Sequence, residues 1–180
     1  TLDKSLGKAA IKSFIVEKGT PGCEVIRLEH KLGIRASDTA SISFNNCRIP
    51  KANILGSPDI ATDAEGRKKA FGGVMQTFDN TRPPVAAMAI GVSRAALDLS
   101  RALLKEEGVE LKFDKKPANL SAIEAELCQM EAEWHGARLL VLKAAWMADN
   151  KMPNSMEASM CKAKAGRVGN NITLRCVALC

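Results

Sequence analysis

Between residues 123 and 148 the apolar positions Ile123, Leu127, Met130, Trp134, Ala137, Val141, Ala144 and Ala148 recur in alternating steps of four and three. That spacing lays all eight along one stripe of an α-helix. A stripe so long and narrow is the seam of a helix packed nearly parallel to its neighbours in a bundle. Whatever else the chain does, it must supply other helices long enough to cover that seam.

The flanking sequence supplies two. From about Arg67 the pattern turns helical, with Phe71, Val74, Met75 and Phe78 at spacings of three and four. Past Pro83-Pro84 the period continues through Val85, Met88, Val92, Ala96 and Leu99. The two prolines are expected to kink or divide that helix, because proline lacks a backbone donor and crowds the preceding turn. Gly108 marks its break. Met152-Pro153-Asn154-Ser155 reads as a turn that starts a last helix, with proline near its first position. That helix carries Met156, Met160, Ala163, Val168 and Ile172.

Residues 1 to about 56 read as strands and turns. Ile11, Phe14, Ile15 and Val16 form a short apolar run closed by the turn signal Thr20-Pro21-Gly22. Ile42 and Phe44 alternate with Ser43 and Asn45, which predicts a strand with one buried face. Pro50 is expected to end its pairing, and a polar loop follows from Gly56 to about Gly66. The fold expected is α+β: the end of a β-sheet or barrel domain over residues 1–62, then an antiparallel helical bundle over 63–180, incomplete at its end. Thr1 is not an initiator methionine, and Leu174 to Cys180 read as mid-helix with no stop signal. An internal fragment is therefore expected.

Composition excludes several classes. At 46% hydrophobic and 26% charged residues, a packed core is expected rather than disorder. No apolar run is long enough to span a membrane. The net charge of +6 is spread along the chain, aromatics are only 4% and tyrosine is absent, so base-stacking nucleic-acid recognition has little support. A basic surface could attract a polyanionic small molecule. None of the six cysteines lies in a C-x-x-C pair and the two histidines stand apart, so no metal site is expected. Free thiols in a reducing compartment are the expectation.

Several short motifs stand in a definite order. The first is Gly33-Ile34-Arg35-Ala36-Ser37-Asp38-Thr39, followed by Phe44 and by Pro50-Lys51-Ala52-Asn53-Ile54-Leu55-Gly56. Next come Phe78-Asp79-Asn80-Thr81-Arg82, Gly91 and Ala95-Ala96-Leu97. Together, and with Ser13-Phe14-Ile15-Val16-Glu17 before them, they resemble the acyl-CoA dehydrogenase family over nearly the whole chain.

That resemblance implies FAD as cofactor, an acyl-CoA thioester as substrate and electron-transfer flavoprotein as partner. It also implies a homo- or hetero-tetramer built through the C-terminal helices, in the bacterial cytoplasm or the mitochondrial matrix. The segment Phe78, Asp79, Thr81 and Arg82 is similar to the place where family members contact the CoA part of the substrate. A guanidinium at Arg82 suits phosphate and ribose oxygens, and Asp79 could accept from a ribose hydroxyl or the adenine amine. By spacing alone the two read as an i,i+3 ion pair. In the Gly33–Thr39 stretch, Gly33 is expected to take an unusual backbone angle and Ser37 and Thr39 to bond nearby backbone. Its role is architectural first and cofactor contact second.

The sequence also departs from the family pattern. No residue matches the family's catalytic base: the position that carries it in some branches is Thr81. Glu124, Glu126, Glu131 and Glu133 read as solvated helix charges. The family's flavin-binding R-x-x-F segment corresponds to Glu110-Leu111-Lys112-Phe113, so the arginine is replaced by Glu110 while Lys112 and Phe113 remain as candidate cofactor contacts. A family glutamine is replaced by Ser121, and another near the end of the chain by Ala178. A carboxylate beside a diphosphate repels it unless Lys112 or Lys115 compensates. Two readings follow: a dehydrogenase whose FAD is held mostly elsewhere, or a flavin-poor structural subunit paired with a better-equipped paralogue.

Overall fold

A computed structural model describes residues 4–60, 64–112 and 114–180, and their side chains apart from those at 8, 9, 64–71 and 74. The chain divides into two compact units, Thr1–Gly73 and Val74–Cys180.

Among the described residues the first unit holds four short strands in two antiparallel pairs. β1 (Ser13–Phe14) pairs with β4 (Ile54–Leu55). β2 (Cys23–Leu28) pairs with β3 (Ala40–Phe44), with a bulge between Val25 and Arg27. The β1–β4 pair is tied at its end by Asn53, whose side-chain amide donates to the Ile15 carbonyl at 3.0 Å while Ile15 N–H donates to the Asn53 carbonyl at 2.9 Å. That pair of hydrogen bonds explains the asparagine in the Pro50–Gly56 motif. The turn before β2 requires Gly22 twice over. Its φ is +82°, and a Cβ there would lie 2.2 Å from the Asn45 carbonyl oxygen.

Three local expectations are corrected. Ile42 and Phe44 are 53% and 60% exposed, not half-buried. A two-stranded ribbon has no second layer of its own to cover either face. β3 stops at Phe44, before Pro50, because Asn46 takes a φ of +49° and turns the chain. The left-handed residue of the Gly33–Thr39 stretch is Ile34, at φ +52°, and not Gly33.

The second unit is an antiparallel bundle. α1 spans Ala64–Glu106, α2 spans Ala122–Asp149 and α3 spans Ser155–Leu179. α1 runs unbroken through Pro83 and Pro84, so the prolines do not divide it. They remove the donors that would reach the Asp79 and Asn80 carbonyls. Packing on both sides offsets the loss: Asp79 and Pro83 are buried, as are Ala86 and Ile90 one and two turns on. The Trp134 indole of α2 adds a hydrogen bond to the Ile90 carbonyl at 2.9 Å.

The ends of the helices are built from local chemistry. α1 closes on a Schellman turn, with Gly108 at φ +81°, Gly108 N–H donating to the Lys105 carbonyl and Val109 N–H to that of Leu104. α2 opens on a capping box. Ser121 Oγ accepts from Glu124 N–H at 3.2 Å, and Ser121 N–H donates to the Glu124 carboxylate at 2.8 Å. α3 opens at Ser155, with Asn154 as N-cap, so Pro153 precedes the cap rather than occupying the first helical position.

The predicted α2 stripe is the seam. Leu127, Met130, Ala137, Val141 and Ala144 are buried, with Ile123 and Trp134 packed beside them. They meet Leu97 and Leu104 of α1 and Ala165, Val168, Ile172 and Cys176 of α3 in one core. On α3 the inward residues are Ala158, Cys161, Ala165, Val168, Gly169, Ile172 and Cys176, while Met156 and Met160 face outward. Small side chains allow the close approach of α1 and α3. A Cβ on Gly169 would lie 3.3 Å from Ala89 Cβ and from Ser93 Oγ. All six cysteines are free thiols, and burial pushes the Cys161 thiol up.

Candidate functional site

The prolines of α1 place a weakened turn of helix opposite the loop between α2 and α3. Asp79 stands on that turn and is buried. One carboxylate oxygen accepts from Arg82 Nη1 at 2.5 Å, and the other accepts from the hydroxyl of Ser155, the first residue of α3. Arg82 is half-buried and its guanidinium lies 5.9 Å from the Phe78 ring centre, within cation–π range. Phe78 is exposed. Thr81 Oγ1 donates to the Phe78 carbonyl at 3.1 Å, an ordinary helix back-bond. The four residues of the predicted substrate segment thus lie on two adjacent turns, and Asp79 is engaged within the chain on both oxygens.

Beside them lies a cleft of about 550 Å³ walled by Gln76, Asp79 and Asn80 of α1, by Lys151 and Asn154 of the connecting loop, and by Ser155. Lys151 adopts φ +56°, a left-handed conformation that costs a residue with a Cβ roughly 1 kcal/mol. The α2 terminus holds it there. Lys151 N–H donates to the Ala148 carbonyl at 3.0 Å and Met152 N–H to that of Met147 at 2.9 Å, a Schellman turn with lysine where glycine is usual. The Asn154 side-chain amide does not cap α3; it donates to the Ala144 carbonyl at 2.9 Å. Sequence reasoning missed Lys151, Asn154 and Ser155. The Pro83-Pro84 pair was the available signal, because it predicts freed carbonyls on the turn that Asp79 occupies.

The candidate flavin segment shows a different arrangement. Glu110 pairs with Lys105 at 3.1 Å and lies 3.9 Å from Lys112, and Lys105 above all holds its carboxyl below the usual carboxylate range. Lys115 bonds Glu124 at 2.5 Å, and with the Ser121 contacts it brings that carboxyl down to about 2. Ser121 is committed to the capping box. Phe113 lies outside the described residues. Of the two cations expected to face a diphosphate, Lys115 is engaged by Glu124 at 2.5 Å, and Lys112 lies exposed, 3.9 Å from Glu110.

The glutamates of α2 are not all solvated, as the sequence led one to expect. Glu124 and Glu131 are each 6% exposed. Glu131 accepts from both Nη atoms of Arg94 at 2.8 and 2.9 Å and from Arg101 Nη1 at 2.9 Å. Arg94, held by this pairing, stacks 4.9 Å above the Trp134 ring. Glu126 pairs with Arg175 and Glu133 with Lys164. Glu126, Glu131 and Glu133 join α2 to its neighbouring helices, and Glu124 ties the segment before α2 to its first turn. Among the described residues no helix is long and apolar enough to cross a membrane, and no group of three metal-ligating side chains converges.

Residues 71–180 match the family profile described as acyl-CoA dehydrogenase, C-terminal domain. Acryloyl-CoA reductase (NADH) of Anaerotignum propionicum is 37% identical over 167 residues, which is 93% of this chain and 39% of that protein. The mitochondrial short-chain specific acyl-CoA dehydrogenase of Bos taurus is 37% identical over 171 residues, 95% of this chain and 39% of its own length. The structure of butyryl-CoA dehydrogenase from Megasphaera elsdenii superposes with a TM-score of 0.77 at 32% identity, over 98% of this chain and 43% of that one. The chain spans about two fifths of the length of these relatives.

Proposed function

The chain belongs to the acyl-CoA dehydrogenase family, and on that premise we propose that it is part of an oxidoreductase that desaturates an acyl-CoA thioester between its α and β carbons. The observation that carries this is the ordered Phe78–Arg82 segment, which presents a half-buried arginine whose orientation is set by Asp79. In this reading Arg82 contacts the phosphate and ribose oxygens of CoA, Phe78 offers it an apolar neighbour, and Thr81 and Asp79 hold the turn. Asp79 acts on the substrate through Arg82, because its own oxygens are occupied. The catalytic base comes from elsewhere in the protein. So does most of the contact to FAD, the proposed cofactor, since Glu110, Lys105 and Lys112 form a closed ion-pair group.

The proposed partners are an electron-transfer flavoprotein and further copies or paralogues of the chain, in the bacterial cytoplasm or the mitochondrial matrix. Assembly through the helices has a surface to use. An apolar groove of about 720 Å³ runs between α2 and α3, with Leu139, Leu140, Met160 and Ala163 on its walls. The Glu110 pairing favours a second reading, in which this chain is the flavin-poor member of a heteromeric dehydrogenase.

The test is the visible absorbance of the full-length protein, purified alone and with a co-expressed paralogue, before and after anaerobic addition of butyryl-CoA. About one flavin per chain, bleached by the thioester, supports the homomeric enzyme. Flavin at about half occupancy in the mixed complex alone supports the heteromeric one. No flavin and no bleaching in either preparation refutes both.

A further inference from the structure

We infer that Ser155 is a positioning residue for ligand recognition: from the first turn of α3 its hydroxyl fixes the Asp79 carboxylate, and through it the Arg82 guanidinium. The inference rests on the reading that Arg82 contacts CoA. Four observations carry it. The Ser155 hydroxyl donates to one oxygen of Asp79 and Arg82 Nη1 lies 2.5 Å from the other, so the donor on α3 fixes the plane in which the carboxylate meets the arginine. Asp79 is 7% exposed, so water is a poor substitute for either partner. The backbone beneath it is weak, because Pro83 and Pro84 withhold the bonds that the Asp79 and Asn80 carbonyls would accept. A side-chain tie to a second helix supplies the fixity that this turn lacks. Finally, Asn154 does not compete for the carboxylate, because its amide is spent on the Ala144 carbonyl. The site also suits a negative charge: Asp79 sits at the N-terminal end of α3, where the helix dipole favours a carboxylate.

Removal of the hydroxyl leaves a buried carboxylate oxygen without its donor. Asp79 then turns to satisfy it, and Arg82 loses its fixed orientation. Ligand affinity falls while the arginine itself is still present.

The experiment measures the dissociation constant of free coenzyme A for the full-length protein by calorimetry, with Ser155→Ala, Ser155→Thr, Arg82→Ala and the Ser155→Ala/Arg82→Ala double variant. Ser155→Ala is expected to weaken binding about tenfold. Ser155→Thr, which keeps the hydroxyl, restores it. The double variant binds no more weakly than Arg82→Ala alone, because both changes act on one contact. A merely structural role for Ser155 lowers the melting temperature but gives additive losses, and additivity overturns the inference. If Arg82→Ala weakens binding and Ser155→Ala does not, the inference falls while the reading of Arg82 stands. If Arg82→Ala leaves the affinity unchanged, that reading fails and takes this inference with it.

Discussion

Replacing Glu131 with alanine tests whether the charged seam between α1 and α2 holds the bundle. Glu131 is 6% exposed and receives three charge-assisted hydrogen bonds, two from Arg94 and one from Arg101. Removing one partner of a buried ion pair costs about 3–5 kcal/mol, because the remaining charge is stranded. Here the stranded charges are guanidiniums whose side chains are 26% and 37% exposed. They recover part of their hydration, and the Arg101 pair is discounted further as a near-surface one. About 2–4 kcal/mol of destabilisation is therefore expected. Urea unfolding of the full-length protein reads it out, with Trp134 fluorescence as a local probe, since Arg94 lies 4.9 Å from that ring. A companion variant, Arg94→Leu with Glu131→Leu, removes the buried carboxylate and its two-bond partner and is expected to recover at least half of the loss, because the one guanidinium left, Arg101, is 37% exposed and can turn to solvent. A loss below about 0.5 kcal/mol for Glu131→Ala would refute the reasoning and make the cluster an ordinary surface pair.

Three further outcomes are expected. Lys151→Gly relieves the left-handed strain at φ +56° and stabilises the protein by about 0.5–1 kcal/mol in thermal or urea unfolding; destabilisation would mean that the lysine side chain has a structural contact worth more than the strain. Gly169→Leu forces α3 away from Ala89 and Ser93 of α1 and costs about 1–3 kcal/mol or more; an unchanged melting temperature would contradict the close approach. The Glu124 carboxyl, held down to about 2 by Lys115 and Ser121, contributes stability that is fully present above its unfolded value of about 4.3 and is lost as pH falls through about 2. Glu131 is shifted in the same direction by Arg94. Melting temperature is therefore expected to fall between about pH 4.5 and 2, with a shallower slope in Glu124→Gln; equal slopes would remove Glu124 as the cause.

What the chain's own sequence determined is the set of features that depend on neighbours along the chain. The four-and-three stripe from Ile123 to Ala148 required a bundle, and its residues from Ile123 to Ala144 form the seam. Gly108 ended α1 because a positive φ is cheap only there. The ordered motifs from Gly33 to Leu97 were enough to place the chain in its family. Tertiary structure decided the rest. Pro83-Pro84 was expected to kink or divide α1 on local grounds; it does not divide it, and packing of Asp79, Pro83 and Ala86 against the bundle holds one continuous helix. Glu131 was indistinguishable in sequence from Glu126 and Glu133, and its burial depends on Arg94 and Arg101, which fold onto it from α1; Glu124 stood three residues after Ser121, the capping-box spacing, but its pairing with Lys115 was not legible locally. Ile42 and Phe44 alternate as a buried strand should, but alternation states only which face is apolar, and no second layer in their own unit covers it. The tie from Ser155 to Asp79 joins residues 76 positions apart, so no local pattern could announce it. Spacing along the chain sets which side chains share a face; what that face meets is set by the other helices.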